Sequence, residues 1–395
     1  MNRPRFLLSG AILLYFIIGL EILIMISPFA AFFYAAFNPF LLSLVQYPAT
    51  RWLTAFFLPH MVLPPGPFLK AVRVSGSILF VAGSVIFLLC AVQVYYNKLF
   101  KKGVALSGLY RYIRHPQYLG LGMTGLGLSI LWPRFLVIAL WTVMLALYYI
   151  LARDEERRMV SQFGPEYREY MDRTGMFFPR ATRALMPHPS AMRAAFTLIL
   201  LAAVSLGGAF ALRAYTIEHL PLWTNGPVTA LAILPDDREK LDHRMADVLE
   251  MPDIKARLES SKGPFLVYLM PKEYIMQGMI ADTGGEWQLY KHHHTLAMIS
   301  DWIFHPFRHL QGGHAMMHHD MGQGMEMPEG GGVVRRMIFL RIEGGDASPP
   351  ASLFGINARR VPLFYADVDI HNLVMQYIKD LPAETGWGRV PTPMF

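Results

Sequence analysis

The sequence predicts an α-helical integral membrane protein of about five spans, followed by an extracytoplasmic α+β domain. Three observations carry this. Of the 395 residues, 53% are hydrophobic and only 16% charged, against roughly 25% charged in soluble domains, so part of the chain must face lipid. Apolar residues gather into runs of membrane-spanning length before about residue 215 and into short strand-like runs after it. Basic residues flank the long runs: Lys98, Lys101, Lys102, Arg111 and Arg114 share one loop, and Arg153 to Arg193 is rich in arginine, the pattern of cytoplasmic loops. A net charge of +7 with no separate basic domain argues against nucleic acid as a partner. Cys90 is the only cysteine, which excludes a disulfide framework and a thiolate metal cluster.

Residues 1–73 read as an anchor helix and a proline-rich interfacial segment. Phe6 to Ile26 can cross ~30 Å of hydrocarbon as a helix and lacks the short core and small-residue cleavage site of a signal peptide. It therefore reads as an uncleaved anchor; Glu21 within it is a functional candidate as a membrane carboxylate, with a protonated carboxyl or a bond to a neighbouring helix as the plainer account. Phe29 to Arg73 is apolar but broken by Pro39, Pro48, Pro59, Pro64, Pro65 and Pro67, which suits a surface-lying or re-entrant segment better than a span.

The membrane core occupies residues 74–190. Val74 to Tyr96 is a clean span. Tyr118 to Leu131 is short, and its Gly120, Gly122, Gly125 and Gly127 permit close helix packing. Trp132-Pro133-Arg134 makes a turn, and Phe135 to Leu151 returns. Ala191 to Leu212, within residues 191–214, is the last span. A cytoplasmic N-terminus and five spans place both basic segments inside and the C-terminal region outside, in the periplasm if the membrane is a cell inner membrane. Arg134, the one basic residue at the hairpin tip, agrees with an outside tip.

From residue 215 to residue 395 the composition is that of a soluble domain. VTALAIL from Val228, PFLVYLM from Pro264, RRMIFLRI from Arg335 and VPLFYADVDI from Val361 read as strands. DREKLDHRMADVLEM from Asp237 and NLVMQYIKDL from Asn372 read as helices.

Two short segments hold the chemistry. Arg114-His115-Pro116 with Tyr118 sets a cation, an imidazole and a phenol at the mouth of a membrane helix, with Pro116 suited to its first turn and free N–H groups there favouring an anion. Across the hairpin, Arg153, Asp154, Glu155 and Glu156 prolong the returning helix beyond the bilayer. Carboxylates on one side match an amine or sulfonium, and cationic and phenolic groups on the other match a carboxylate. Snorkelling cations and an aromatic belt would account for any one of these residues. Mere anchoring, however, requires no such ordered pair of segments.

The spacing of Ser107, Gly108, Tyr110, Arg114, His115, Pro116, Tyr118 and Gly120, then Glu155, Glu156, Phe163, Gly164, Glu166, Tyr167, Tyr170 and Phe178-Pro179, resembles the superfamily of isoprenylcysteine carboxyl methyltransferases and phospholipid methyltransferases. The resemblance covers about Val74 to Arg180 and does not reach the C-terminal domain. It implies an integral-membrane enzyme using S-adenosylmethionine in a cytoplasm-facing pocket, with a small or lipid-like acceptor entering from the bilayer. Lys102, Val104, Tyr110, Arg114, His115, Pro116, Tyr118, Glu155 and Glu156 would bind the cofactor. Arg153 and Glu156 would be the catalytic pair, Arg153 near the acceptor. A membrane reductase of similar helix arrangement is a further reading, without a dinucleotide fingerprint to support it.

Lys291 to Met327 holds eight of the fourteen histidines. In its HAMMHHDMGQGMEM part, His314, His318, His319, Met316, Met317 and Met321 are candidate metal ligands, because imidazole and thioether together suit copper. A biased, flexible loop that binds metals adventitiously is the plainer account. This region supports a second reading, a copper-handling or metal-sensing membrane protein on a structural methyltransferase scaffold. Asp367, Asp369 and His371 are a weaker metal candidate, better explained as an acidic strand end.

Overall fold

The computed structural model describes residues 41–180 and 191–383, apart from 42, 60, 61, 63–65, 101, 102, 273, 275, 276, 278, 279, 282, 284–333 and 345–352. The expected anchor Phe6 to Ile26, Lys102 and the His/Met-rich stretch lie outside the described residues.

The membrane part contains α1 (Pro67–Leu99), α2 (Pro116–Leu131), α3 (Phe135–Phe163), α4 (Pro165–Arg173) and α5 (Ala191–Glu218). Among the described residues, three helices are long and apolar enough to cross a membrane: Pro67–Asn97, Phe135–Phe163 and Ala195–Glu218. α2 has 16 residues and reaches only ~24 Å at 1.5 Å per residue. It is enclosed rather than lipid-facing, with Gly120, Gly122, Thr124, Gly125, Gly127, Leu128 and Ser129 buried. By contrast α1 exposes Val74, Ile78, Val81, Val85, Leu88, Leu89 and Val92, and α5 exposes Phe196, Ile199, Leu200 and Val204. An apolar face without protein cover on a helix of this length is a lipid face.

The close approach of α1 and α2 depends on missing side chains. A Cβ on Gly83 would lie 2.5 Å from the Gly120 carbonyl oxygen, and one on Gly127 would lie 2.4 Å from the Phe80 nitrogen. At the other end of α2 the chain turns through Trp132-Pro133-Arg134 into α3, and the proline-rich segment packs on that turn. Phe57 N–H donates to the Pro133 carbonyl (2.7 Å) and Phe135 N–H to the Ala55 carbonyl (3.0 Å). Arg134 is built into the structure at this tip: it is buried, donates to the Thr54 carbonyl and lies 4.3 Å from the Phe56 ring centroid.

Among the described residues, the C-terminal region contains a six-stranded mixed sheet in chain order: β1 (Leu222–Asn225), β2 (Val228–Ala232), β3 (Phe265–Pro271), β4 (Val334–Glu343), β5 (Arg359–Asp369) and β6 (Val374–Asp380). Among these strands β2 and β3 pair in parallel and the other neighbours antiparallel, because α6 (Arg238–Leu249) and α7 (Pro252–Ser260) return the chain between β2 and β3. Leu241, Met245, Val248 and Ile254 of these helices pack on Ala230, Val267, Phe339 and Phe364 of one face. The opposite face, with Leu231, Tyr268, Ile338 and Leu340, is covered by Val62, Leu220, Leu353 and Phe354. This second contact joins the sheet to the membrane part.

The four expected strands and the Asp237 helix form as read, but β1 and α7 were not anticipated. Asn372 to Leu381, expected as a helix, contains β6. The local cause is the preceding turn. Asp369 accepts the N–H groups of His371 and Asn372, both at 3.0 Å, and Leu373 takes φ 57°, reversing the chain onto β5 with Asp367 opposite Tyr377. The acidic pair expected at a strand end is therefore engaged internally, since Asp367 also receives both Nε (2.7 Å) and Nη2 (2.8 Å) of Arg336.

Candidate functional site

The RHP segment and the segment after α4 are joined by backbone before any side chain is considered. Arg114 N–H donates to the Gly175 carbonyl at 2.8 Å, His115 N–H to the Met176 carbonyl at 3.1 Å, and Gly175 N–H returns to the Tyr112 carbonyl at 3.2 Å. Gly175 is required there, because a Cβ would fall 1.6 Å from the Phe178 carbonyl oxygen. These bonds fix His115 as the residue capping α2, with Pro116 in its first turn. Tyr170 of α4 adds a buried 2.6 Å bond from its hydroxyl to the Tyr110 carbonyl, and Tyr110 in turn donates to Gln117 Oε1 at 2.9 Å. Burial pushes the Tyr170 phenol up to about 12, with Arg114 opposing and Glu156 adding to the rise, so Tyr170 remains a donor at neutral pH. Tyr170→Phe should cost about 1–2 kcal/mol in a denaturant titration, since one buried hydrogen bond is lost and its acceptor stranded.

On this frame sits a charged cluster. Arg114 Nε meets Glu156 Oε1 at 2.6 Å, the two side chains being 9% and 4% exposed. Arg114 Nη1 also donates to the carbonyls of Met171 (2.9 Å) and Thr174 (2.6 Å). One guanidinium thus connects the mouth of α2, the far end of α3 and the end of α4. His115 lies between two carboxylates, with Nδ1 3.5 Å from Glu155 Oε2 and Nε2 3.5 Å from Glu156 Oε1. Both distances exceed ordinary hydrogen bonds, and neither ring nitrogen has a hydrogen-bond partner of good geometry. Glu156 is committed to the interior, whereas Glu155 is 40% exposed.

An aromatic stack continues from the cluster. His115 and Tyr118 stack at 5.6 Å between centroids, Tyr118 and Tyr148 at 5.3 Å, and Phe177 lies 6.1 Å from His115. Tyr148, Thr174 and Phe177 were not singled out from the sequence. Tyr148 could have been, because Tyr148, Ala152 and Glu156 recur every four residues and share the buried stripe of α3.

The structure thus brings together Tyr110, Arg114, His115, Pro116, Tyr118, Glu155 and Glu156. Val104 is half-buried in the loop leading to this turn. Arg153 is exposed on α3 and is not drawn into the cluster. Among the described residues, no group of three His, Cys, Asp or Glu side chains could hold a metal. The metal candidates on the His/Met-rich stretch fall outside the described residues.

Burial alone would push the His115 imidazole down, but Glu155 and Glu156 outweigh it and hold it above its ordinary value. Its interaction with the carboxylates therefore contributes stability in full below the unfolded value of ~6.5 and loses it as pH rises through the elevated folded value. Thermal unfolding should show the melting temperature falling across that interval. His115→Gln should remove this part of the pH dependence.

The family of phospholipid methyltransferases matches residues 70–166, about a quarter of the chain. This segment is similar to that family over the residues whose motif spacing carries the resemblance. The match ends before Tyr167, so the cap formed by α4 and Gly175 to Phe177 rests on the motif resemblance and on the geometry above. No curated protein and no solved structure matches the chain.

Proposed function

We propose that residues 67–180 form a methyltransferase that uses S-adenosylmethionine and acts on a small or lipid-like acceptor at the cytoplasmic face of the membrane. The observation that carries this is the cluster of Arg114, His115, Glu155 and Glu156, which joins the two motif segments across one short helical hairpin. The residues suit the cofactor: a partly open carboxylate at Glu155 complements a positive centre, the His115 nitrogens have no good hydrogen-bond partner, and Tyr118, Tyr148 and Phe177 offer aromatic faces beside them. When bound, the cofactor supplies a methyl group already activated on a sulfonium.

The protein's work is therefore binding, alignment and exclusion of water. Glu156 and Arg114 act as positioning residues, holding the mouth of α2 against α3. Glu155, His115 and Tyr118 line the cofactor side, and the family resemblance adds Val104 and Lys102. Arg153, exposed one turn before the cluster, is assigned to the acceptor by the family resemblance. Basic residues in the loop before Tyr110 support the cytoplasmic orientation, which sets the C-terminal domain on the other side.

Radiolabelled methyl transfer tests this reading. Purified protein in bilayers of native lipid should move label from S-adenosylmethionine into the organic extract. Glu155→Gln, at a half-exposed position, should fold normally and lose at least about tenfold in rate, the scale of one charge-assisted contact. Absence of transfer to any membrane or small-molecule fraction would contradict it.

A further inference from the structure

A second group of polar side chains, with Tyr268 and Arg213 buried and Arg360 half-buried, lies where the last membrane helix meets the sheet. Arg360 of β5 stands opposite Ile342, on the sheet face that carries Tyr268, Leu340 and Phe354. Its Nε is sealed from solvent without a hydrogen-bond partner, and so is the Tyr268 hydroxyl. Tyr268 is itself fully buried at 0% exposure. The Arg360 guanidinium lies 5.9 Å from the Phe354 ring centroid, and no carboxylate among the described residues pairs with it. Within electrostatic reach is a second cation, Arg213 of α5, which is 5% exposed and donates to the carbonyls of Phe56 and Phe354.

The Arg360 guanidinium, its Nε sealed from solvent and with a second cation within electrostatic reach, calls for a counter-charge or neutralisation. Burial does drive Arg360 below its ordinary value, with Tyr268 opposing. Guanidinium forks and a phenol O–H are donors only towards an anion, and together they match the several acceptor oxygens of a phosphate. The position fits as well: Arg213 is in the last two turns of α5, a helix of spanning length, near the depth where headgroup phosphates lie.

We infer that Arg360, Tyr268 and Arg213 form a phosphate-binding site between the end of α5 and the sheet, separate from the methyltransferase cluster. The phosphate belongs to a membrane lipid headgroup or to a free phosphate ion. Binding there ties the C-terminal domain to the membrane part.

The test uses the full-length protein in detergent, followed by thermal unfolding. Sodium phosphate is compared with sodium chloride at equal ionic strength, and phosphatidylglycerol with diacylglycerol. At about a hundredfold excess over Kd, a phosphate-bearing probe should raise the melting temperature by roughly 5 °C. A response to inorganic phosphate identifies a free ion, and a response to phosphatidylglycerol alone identifies a headgroup. Arg360→Met should abolish the response while melting no lower than wild type without ligand, because an uncompensated charge is removed. Tyr268→Phe should raise the half-saturating concentration about tenfold, the scale of one hydrogen bond to a charged group, and it decides the matter if Arg360→Met does not fold. No response of the wild type to either probe, or an unchanged response in Tyr268→Phe, would overturn the site.

Discussion

Arg114→Ala is expected to lower stability by about 3–5 kcal/mol, the range for removing one partner of a buried ion pair. The loss has two parts. Glu156, 4% exposed, keeps a carboxylate in the interior beside only a histidine at 3.5 Å. The carbonyls of Met171 and Thr174 lose their shared donor. Because the same guanidinium fastens α4 to the mouth of α2, protease sensitivity should appear first around Thr174 to Phe178. Glu156→Gln should cost less, since an amide still accepts from Arg114. A double replacement by methionine at 114 and 156 should recover much of the loss, as apolar substitutes for buried pairs do.

The second large effect lies in the helical hairpin. Gly120→Leu is expected to cost about 3 kcal/mol or more, at or beyond the upper end for overpacked sites. A Cβ there meets the Gly83 carbonyl oxygen and the Phe87 nitrogen, each at 2.8 Å, and backbone atoms cannot rotate away. α1 and α2 must then separate, which pulls His115 from α3. Gly207→Ala in α5 is the control, because its Cβ meets nothing within 4 Å, and there the better helix former should be neutral or slightly stabilising. Unfolding in detergent, followed by far-UV circular dichroism, separates the two.

The membrane helices were readable because length and hydropathy alone dictate them. α1 contains the expected span Val74 to Tyr96, and α2 and α3 begin at Pro116 and Phe135, within two residues of the reading. The charged cluster was legible for a related reason. A short hairpin forces its two mouths together, so Arg114, His115 and Glu156 could be paired from topology.

Features set by distant partners were not legible. Arg134 reads only as a marker of the tip's membrane side, and its burial comes from residues 54–57 folding over the turn, a contact of 80 residues' separation. The β6 segment carries an apolar pattern that suits either period, and the Asp369 turn with Leu373 at positive φ decides it. The distinct fates of Glu155 and Glu156 follow from a 100° rotation along α3, which the sequence shows only once the direction of Arg114 is known.

The most direct test of the central claim is an equilibrium titration of S-adenosylmethionine into purified protein by calorimetry. Wild type should bind stoichiometrically. His115→Ala and Glu155→Gln should each weaken binding at least about tenfold while keeping the wild-type circular dichroism spectrum. A wild type that binds no cofactor, or variants that bind as tightly as wild type, would contradict the account.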